Sequence, residues 1–194
     1  VAWRPDGANS LSLNYASRIN RPGISYLNPA VEESVTTTSQ GNPTLESARH
    51  NSLKLSYMYI SPKLNMNLSA GYEFSDNVIA NYAYVKDDHI YSTYGNIGSG
   101  RILSLGGYLQ WAITRKTSFL LNANAAYNQY ANESVSAQLS RWTATSYAQL
   151  TQRLPWELTL GLTGYWFSGM ISDAYSYTIP VKGTVYYNIT LQRS

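Results

Sequence analysis

The sequence contains no cysteine, which excludes disulfide bonds and thiolate metal sites. Charged residues make up only 13% of its 194 positions, about half of the ~25% usual in soluble domains. The net charge is +3 and no basic stripe occurs, so nucleic acid is not an expected partner. No run of about 20 apolar residues is present, which excludes a transmembrane helix.

Residues suited to catalysis are also scarce. The chain has two histidines, His50 and His89, and none of the His-Glu-x-x-His, Gly-x-Ser-x-Gly or P-loop patterns. Asp87, Asp88 and His89 could bind a metal, but such a triplet is more often a solvated turn. We therefore predict no enzyme activity, no cofactor and no metal site.

What the chain does contain is alternation of apolar and polar residues in eight segments. The clearest runs through Leu64, Met66, Leu68, Ala70, Tyr72 and Phe74. The residues between them are Asn65, Asn67, Ser69, Gly71 and Glu73. A strand with this period has one apolar and one polar face. Because the polar side is rich in Asn, Ser, Thr and Gly rather than Lys or Glu, the pattern predicts a transmembrane β-barrel.

Aromatic residues support this interpretation. The chain has 18 tyrosines and 5 tryptophans, and aromatic side chains gather at both membrane interfaces of a barrel. The candidates for these girdles are Tyr15, Tyr57, Tyr72, Trp111, Trp142 and Trp166. The alternative is a soluble, tyrosine-rich β-protein such as an adhesin or a carbohydrate-binding domain.

Connections between the segments alternate in length. Short ones are expected at 4–7, 61–63, 114–117 and 153–156, and long ones at about 21–47, 86–100, 129–139 and 168–176. Short turns on one rim and long loops on the other are typical of outer-membrane barrels, with the short turns in the periplasm. The strands are predicted at about 9–20, 47–60, 64–85, 90–113, 118–130, 140–152, 157–168 and 176–193.

Two groups of residues could contact a ligand. The outer parts of the third and fourth strands exceed the ~9–11 residues needed to cross a bilayer, so they are expected to form a hairpin above it. Its tyrosines are candidates for extracellular ligand contact: Tyr82, Tyr84, Tyr91 and Tyr94. They could instead only stabilise cross-strand pairs. The few charges expected to face the lumen are Arg18, Lys54, Glu73, Arg141 and Glu157.

Three stretches near the beginning carry a family resemblance. They are Tyr15-Ala16-Ser17-Arg18-Ile19-Asn20-Arg21-Pro22-Gly23, Leu27-Asn28-Pro29 and Gly41-Asn42-Pro43-Thr44-Leu45-Glu46. Together they resemble a recurrent stretch in TonB-dependent outer-membrane receptors, specifically their "outer membrane protein beta-barrel" family. Tyr94-Gly95-Asn96 and the turn at Trp156 also fit. Family members often have Lys-Pro-Glu where this chain has Glu46-Ser47-Ala48.

The resemblance implies a 22-stranded barrel around an N-terminal plug, driven by TonB, that imports a nutrient such as a siderophore, vitamin, glycan or peptide. Residues 1–194 are then expected to be one segment of the barrel, with plug and TonB-contacting region outside it. The first residues, Val1 to Pro5, have no signal-peptide features and fit the interior of a longer chain. The expected partners are outer-membrane lipid, the rest of the barrel with its plug, the TonB complex through the N-terminal part, and a small ligand. The alternative is an autonomous eight-stranded barrel with a structural or surface-binding role.

Overall fold

The computed structural model describes residues 1–132, 137–170 and 181–193. Most of them lie in strands, the rest form turns and loops, and the helical content of the described residues is a single four-residue turn. The elements are β1 (Ala2–Trp3), β2 (Asn9–Asn20), α1 (Ile24–Leu27), β3 (Val31–Glu33), β4 (Thr37–Gln40), β5 (Ala48–Ile60), β6 (Leu64–Lys86), β7 (His89–Ala112), β8 (Thr117–Asn132), β9 (Ala137–Arg153), β10 (Leu158–Met170) and β11 (Val181–Arg193). In these ranges, no helix is long and apolar enough to cross a bilayer.

The strands form one sheet in the order β1-β2-β5-β6-β7-β8-β9-β10-β11. Each pair along this path is antiparallel and joins strands that follow one another across a short turn or a long loop. Eight long strands are therefore present in the described ranges, as the alternation predicted. The all-β, up-and-down architecture of the prediction is confirmed.

The register places the apolar columns of all eight strands on the same face. One row of directly opposed residues crosses six strands without a charge: Leu13, Leu55, Ala70, Leu105, Ala125 and Ala144. The adjacent row on the other face reads Asn14, Lys54, Gly71, Ser104, Ala126 and Thr143. Because side chains alternate along each strand, the sheet has one apolar and one polar face.

The apolar face is exposed rather than buried in a core. Leu105 is 55% exposed and Ile189 is 65% exposed, although both lie within long strands. Among the described residues the buried hydrophobic side chains are only Leu45, Ala48 and Ala80. A soluble domain of this size would instead bury its large aliphatic residues. The apolar face therefore requires an apolar solvent, which the hydrocarbon of a bilayer supplies.

The predicted girdle residues all lie on this apolar face. Tyr15, Tyr72, Tyr127 and Trp142 belong to a single row, alternating with Leu53 and Leu103. Trp111, near the end of β7, and Tyr57, near the end of β5, lie close to the short turns instead. Trp166 shares a row with Tyr57 but lies nearer the long-loop end of its own strand, as expected when strands tilt. Their role as membrane anchors stays a prediction.

Several predicted connections were wrong in detail. The loop at 21–47 contains α1, β3 and β4. The long connection expected at 86–100 is mostly strand, because β6 and β7 meet in a tight turn at Asp87 and Asp88. Glu157 lies in the turn before β10 rather than on the lumen wall. Residues 133–136 and 171–180, which include parts of two predicted loops and the start of the last predicted strand, lie outside the described residues.

The turn between β1 and β2 is organised by Asp6. Its Oδ1 accepts hydrogen bonds from the backbone N–H groups of Ala8 (2.8 Å) and Asn9 (2.7 Å), and both carboxylate oxygens accept from the Asn9 side chain. These bonds favour the charged form, and the Asn9 side chain is the main reason that the pKa of Asp6 lies below its ordinary value. The turn is therefore stabilised above the ordinary carboxyl pKa and loses this contribution as the pH falls through the lowered value.

The orientation of the two faces can be tested with a charge. Replacing Leu68 with Arg in the complete protein should lower the free energy of unfolding in phospholipid vesicles by about 2–4 kcal/mol, because the guanidinium enters hydrocarbon. Asn67→Arg is the matched control on the polar face and should cost little. Denaturant titration in vesicles measures both values, and equal losses would contradict the assignment of the faces.

The sidedness of the turns can be tested by labelling. A cysteine at Asp88 should react with a membrane-impermeant maleimide added to intact cells, whereas a cysteine at Lys63 or Lys116 should react only after the outer membrane is opened. The result should be read from labelling rates on gels. Labelling of Lys63→Cys but not Asp88→Cys in intact cells would invert the topology.

Candidate ligand-binding surface

The outer parts of β6 and β7 form a long hairpin beyond the membrane band. Of the 23 residues of β6, about 9–11 suffice to cross a bilayer, which leaves roughly 40 Å of strand beyond it. The register shifts between Ser75 and Ile79, where Asn77 has a φ of 61°. The tip is a two-residue turn in which Asp87 and Asp88 have φ values of 52° and 57°. Both values fit a type I′ turn, which matches the twist of the strands.

Three of the four predicted tyrosines form one aromatic ladder on this hairpin. Tyr84 lies directly opposite Tyr91, and their rings stack with centroids 5.3 Å apart and planes at 13°. Tyr82 continues the ladder at 6.5 Å from Tyr84, and the His89 ring lies 5.2 Å from Tyr91. Offset aromatic pairs of this kind stabilise neighbouring strands. A row of flat rings is also a surface on which a planar ligand could stack.

Tyr94, the fourth predicted tyrosine, is separated from the other three. It lies opposite Asn81, on the other face of the hairpin, and stacks on Tyr26 of α1 with centroids 4.4 Å apart. It therefore packs against the loop between β2 and β5, which we call the first loop (residues 21–47). The four tyrosines do not form a single cluster.

The first loop is closed by contacts between its two Asn-Pro segments. The Gly41 N–H donates to the Asn28 carbonyl at 3.0 Å, and the Asn42 N–H donates to the Tyr26 carbonyl at 2.6 Å. The Asn42 side chain donates to the Tyr94 carbonyl at 2.9 Å and accepts from Thr44. A Cβ on Gly41 would meet the Asn28 carbonyl oxygen and lie 2.7 Å from the Tyr26 oxygen, so only glycine fits there.

The first loop also crosses to the far edge of the hairpin. β4 pairs in parallel with β7 from Thr37 opposite Ile90 to Ser39 opposite Ser92. The Thr38 hydroxyl lies 2.8 Å from His89 Nε2. Near the base, the Asn96 side chain accepts from the Glu46 N–H at 2.8 Å and donates to the Glu46 carbonyl at 2.9 Å. The first loop and the hairpin therefore form one connected structure.

Four of the five predicted lumen charges, all except Glu157, lie on the polar face. Arg18, Lys54 and Glu73 line one concavity of about 370 Å³ that extends across six strands to Thr143. Arg141 lies further along β9, opposite Asn128, whose buried amide donates to the Arg141 carbonyl at 3.3 Å and to the Thr143 hydroxyl at 2.9 Å. The structure thus brings three of the four together. Their contact with a ligand or a plug stays a prediction.

His50 joins Glu73 in a contact that the sequence did not indicate. His50 Nδ1 lies 2.6 Å from the Ser75 hydroxyl, and Nε2 lies 3.6 Å from the Glu73 carboxylate. The three residues come from the facing strands β5 and β6, and the His50 and Glu73 side chains are 41% and 43% exposed. His50, Glu73 and Ser75 thus form a partly exposed group of polar cross-strand contacts on the face of the sheet that meets water. Within the ranges that the structure describes, no three His, Asp or Glu side chains are placed to hold a metal.

The opposite, apolar face carries a groove of about 590 Å³. It follows one row of the sheet, where the small residues Gly107 and Ala123 lie between the larger Leu68 and Trp166. Its lining is almost entirely apolar, and it lies on the side that faces lipid. The groove therefore belongs to the membrane surface of the sheet rather than to a ligand site.

An antiparallel sheet with one lipid-facing and one hydrated face defines the wall of a transmembrane β-barrel. The match to a family model agrees: residues 1–194 match the outer membrane protein beta-barrel family, and the chain belongs to that family. This membership places it in the bacterial outer membrane. No curated protein shows significant sequence similarity to the chain.

Solved structures share this fold. The siderophore receptor PirA from Pseudomonas aeruginosa superposes with a TM-score of 0.69 at 12% identity, over 98% of this chain and 34% of its own. A mutant of the ferric enterobactin receptor PfeA from the same organism superposes with a TM-score of 0.68 at 16% identity, over 97% of this chain and 31% of its own. The FrpB iron transporter from Neisseria meningitidis superposes with a TM-score of 0.66 at 14% identity, over 97% of this chain and 30% of its own. The chain therefore spans about a third of the length of these proteins.

The glycine of the first loop provides a test of its architecture. Gly41→Ala should open the loop, because the added methyl group meets two carbonyl oxygens. We expect a roughly tenfold rise in protease cleavage within residues 21–47, equivalent to about 1.4 kcal/mol of local stability. Gly7→Ala is the control, since nothing lies within 4 Å of its Cβ position. Equal cleavage of the two variants would contradict the close approach.

Proposed function

We propose that the chain is one part of the wall of a larger, plugged barrel that imports a nutrient across the outer membrane with energy from TonB. The observation that carries the proposal is the superposition of nearly the whole chain on about a third of each receptor or transporter. Because the similar structures include a siderophore receptor, an iron transporter and the copper transporter OprC, siderophores, iron and copper are the first cargo classes to test. The similar structures are receptors and transporters, which favours transport over catalysis.

The edge of the sheet supports the larger barrel over the autonomous eight-stranded one. In a closed eight-stranded barrel β11 would be the neighbour of β2. Here β1 lies against β2 instead, with Trp3 opposite Leu11 and Ala2 opposite Ser12. Val1 also exchanges two backbone hydrogen bonds with Leu13, both 2.8 Å long. In the described residues β11 pairs with β10 alone, so its other edge needs a partner in hydrocarbon.

The polar face suits a wide, water-filled or plugged lumen. An eight-stranded barrel is just filled by its own side chains. Small residues such as Ser104, Ala126 and Gly71 on this face leave the concavity beside Arg18 and Lys54 open. The hairpin and the first loop, which are hydrogen-bonded to each other, would form the outer part of the ligand site.

A conductance measurement tests barrel size without a known ligand. The complete protein in a planar bilayer should be closed, and urea that unfolds the plug should open a wide, stable channel. An eight-stranded barrel would stay closed under the same treatment until it unfolds, because side chains fill its interior. Absence of any wide channel would contradict the larger barrel.

Import itself is tested in cells that carry or lack the gene, with TonB present or depleted. Mass spectrometry of the growth medium should show at least one iron complex, copper species or other nutrient that disappears only when gene and TonB are both present. Uptake that depends on the gene but persists without TonB would contradict energised import.

A further inference from the structure

A basic cleft lies at the rim that carries the short turns. The turn between β7 and β8 contributes Arg115 and Lys116, and the turn between β9 and β10 contributes Arg153, Leu154 and Glu157. The cleft between them has a volume of about 370 Å³. We call it the inner-rim cleft. It lies on the opposite side of the membrane from the hairpin and the first loop.

One backbone hydrogen bond joins the two turns, and further hydrogen bonds close each turn. The Arg153 N–H donates to the Lys116 carbonyl at 2.7 Å, and the Leu154 N–H donates to the Leu158 carbonyl at 2.7 Å. The Thr114 and Thr117 hydroxyls bond at 2.9 Å across the base of the first turn. The three cationic side chains therefore extend from a defined backbone frame while remaining exposed to solvent.

Positive charge exceeds negative charge at this place. Three cations line the cleft against the single carboxylate of Glu157, and Arg193 lies opposite Leu158 at the end of the neighbouring strand. A cleft with such an excess attracts an anion, and arginine forms bidentate bonds to phosphate. The chemistry fits a phosphate monoanion better than a neutral headgroup.

An exposed tryptophan indicates that the anion belongs to a lipid. Trp156, at the tip of the second turn, is 82% exposed and has a φ of 62°, a left-handed conformation uncommon for so large a residue. Leu154 beside it is 37% exposed. Tryptophan favours the membrane–water interface, where one part of the ring is dry and the other wet. The lipid-facing residues Leu158 and Leu160 begin directly beyond the turn.

We propose that the inner-rim cleft binds the phosphate of an anionic phospholipid in the inner leaflet of the outer membrane. Arg115, Lys116 and Arg153 hold the phosphate, and Trp156 and Leu154 contact the glycerol and the first acyl carbons. An anion joined to apolar chains matches a cationic cleft that opens beside an apolar wall. This assignment rests on the membrane location and sidedness of the chain and is independent of the transported ligand.

The test is lipid binding by the complete protein in detergent, measured by native mass spectrometry. Phosphatidylglycerol should bind at least tenfold more tightly than phosphatidylcholine with the same chains. The triple variant Arg115→Gln/Lys116→Gln/Arg153→Gln should lose this preference. The matched control Arg21→Gln/Arg49→Gln/Lys86→Gln removes the same charge from the opposite side and should retain it. Heat-dependent gel mobility confirms that both variants are folded.

Two further measurements make the result decisive. Trp156→Ala keeps every cation and should weaken phosphatidylglycerol binding severalfold. Inorganic phosphate should compete only at far higher concentration than the lipid. Equal affinities in the triple variant and its control, equal binding of the two lipids, or competition by phosphate at the lipid's own concentration would each overturn the proposal. If the triple variant does not fold, Lys116→Gln alone should still reduce the preference measurably.

Discussion

The whole structure depends on one constraint: in hydrocarbon, every backbone N–H and C=O group must find a partner within the protein. In the described residues the antiparallel ladder from β2 to β11 meets this requirement for the strands between its edges, and the outer edge of β11 needs a further strand. Because side chains alternate along a strand, the register of the ladder also decides which residues meet lipid. A slip of one residue would bring Lys54 and Asn14 to the position now held by Leu55 and Leu13. Backbone pairing and the apolar pattern therefore enforce the same register.

Features that depend on a local rule could be predicted from the sequence. The period of two identified eight strands, and the bounds of β2 and β5 differ from the structure by at most one residue. The same alternation of odd and even positions along each strand predicted that Arg18, Lys54 and Glu73 lie on the polar face. This alternation also indicates that the four candidate tyrosines of the hairpin do not share one face, which the sequence prediction missed. Tyr91 and Tyr94 are three positions apart in the sequence, and an odd spacing puts two residues on opposite faces of a strand.

Features that depend on distant residues could not be predicted in this way. β4 pairs with the nearby β3, but it also pairs through Thr37 to Ser39 with the edge of β7, about 50 residues further along the chain. The contact between His50 and Glu73 likewise requires the register between β5 and β6. The Asn-Pro segments of the first loop gave a family resemblance, but their mutual contact through Gly41 and Asn42 became visible only in the folded chain.

The lipid-facing wall and the parts that face water carry different kinds of information. Proteins with 12–16% identity to this chain superpose on it with TM-scores of 0.66–0.69, because apolar alternation and backbone pairing are enough to specify such a wall. Leu105 could be another apolar residue without changing the ladder. Arg18 on the polar face, Tyr84 on the hairpin and Arg153 at the inner rim satisfy no requirement of the ladder. Residues of this second kind can therefore differ between related barrels while the wall itself is preserved.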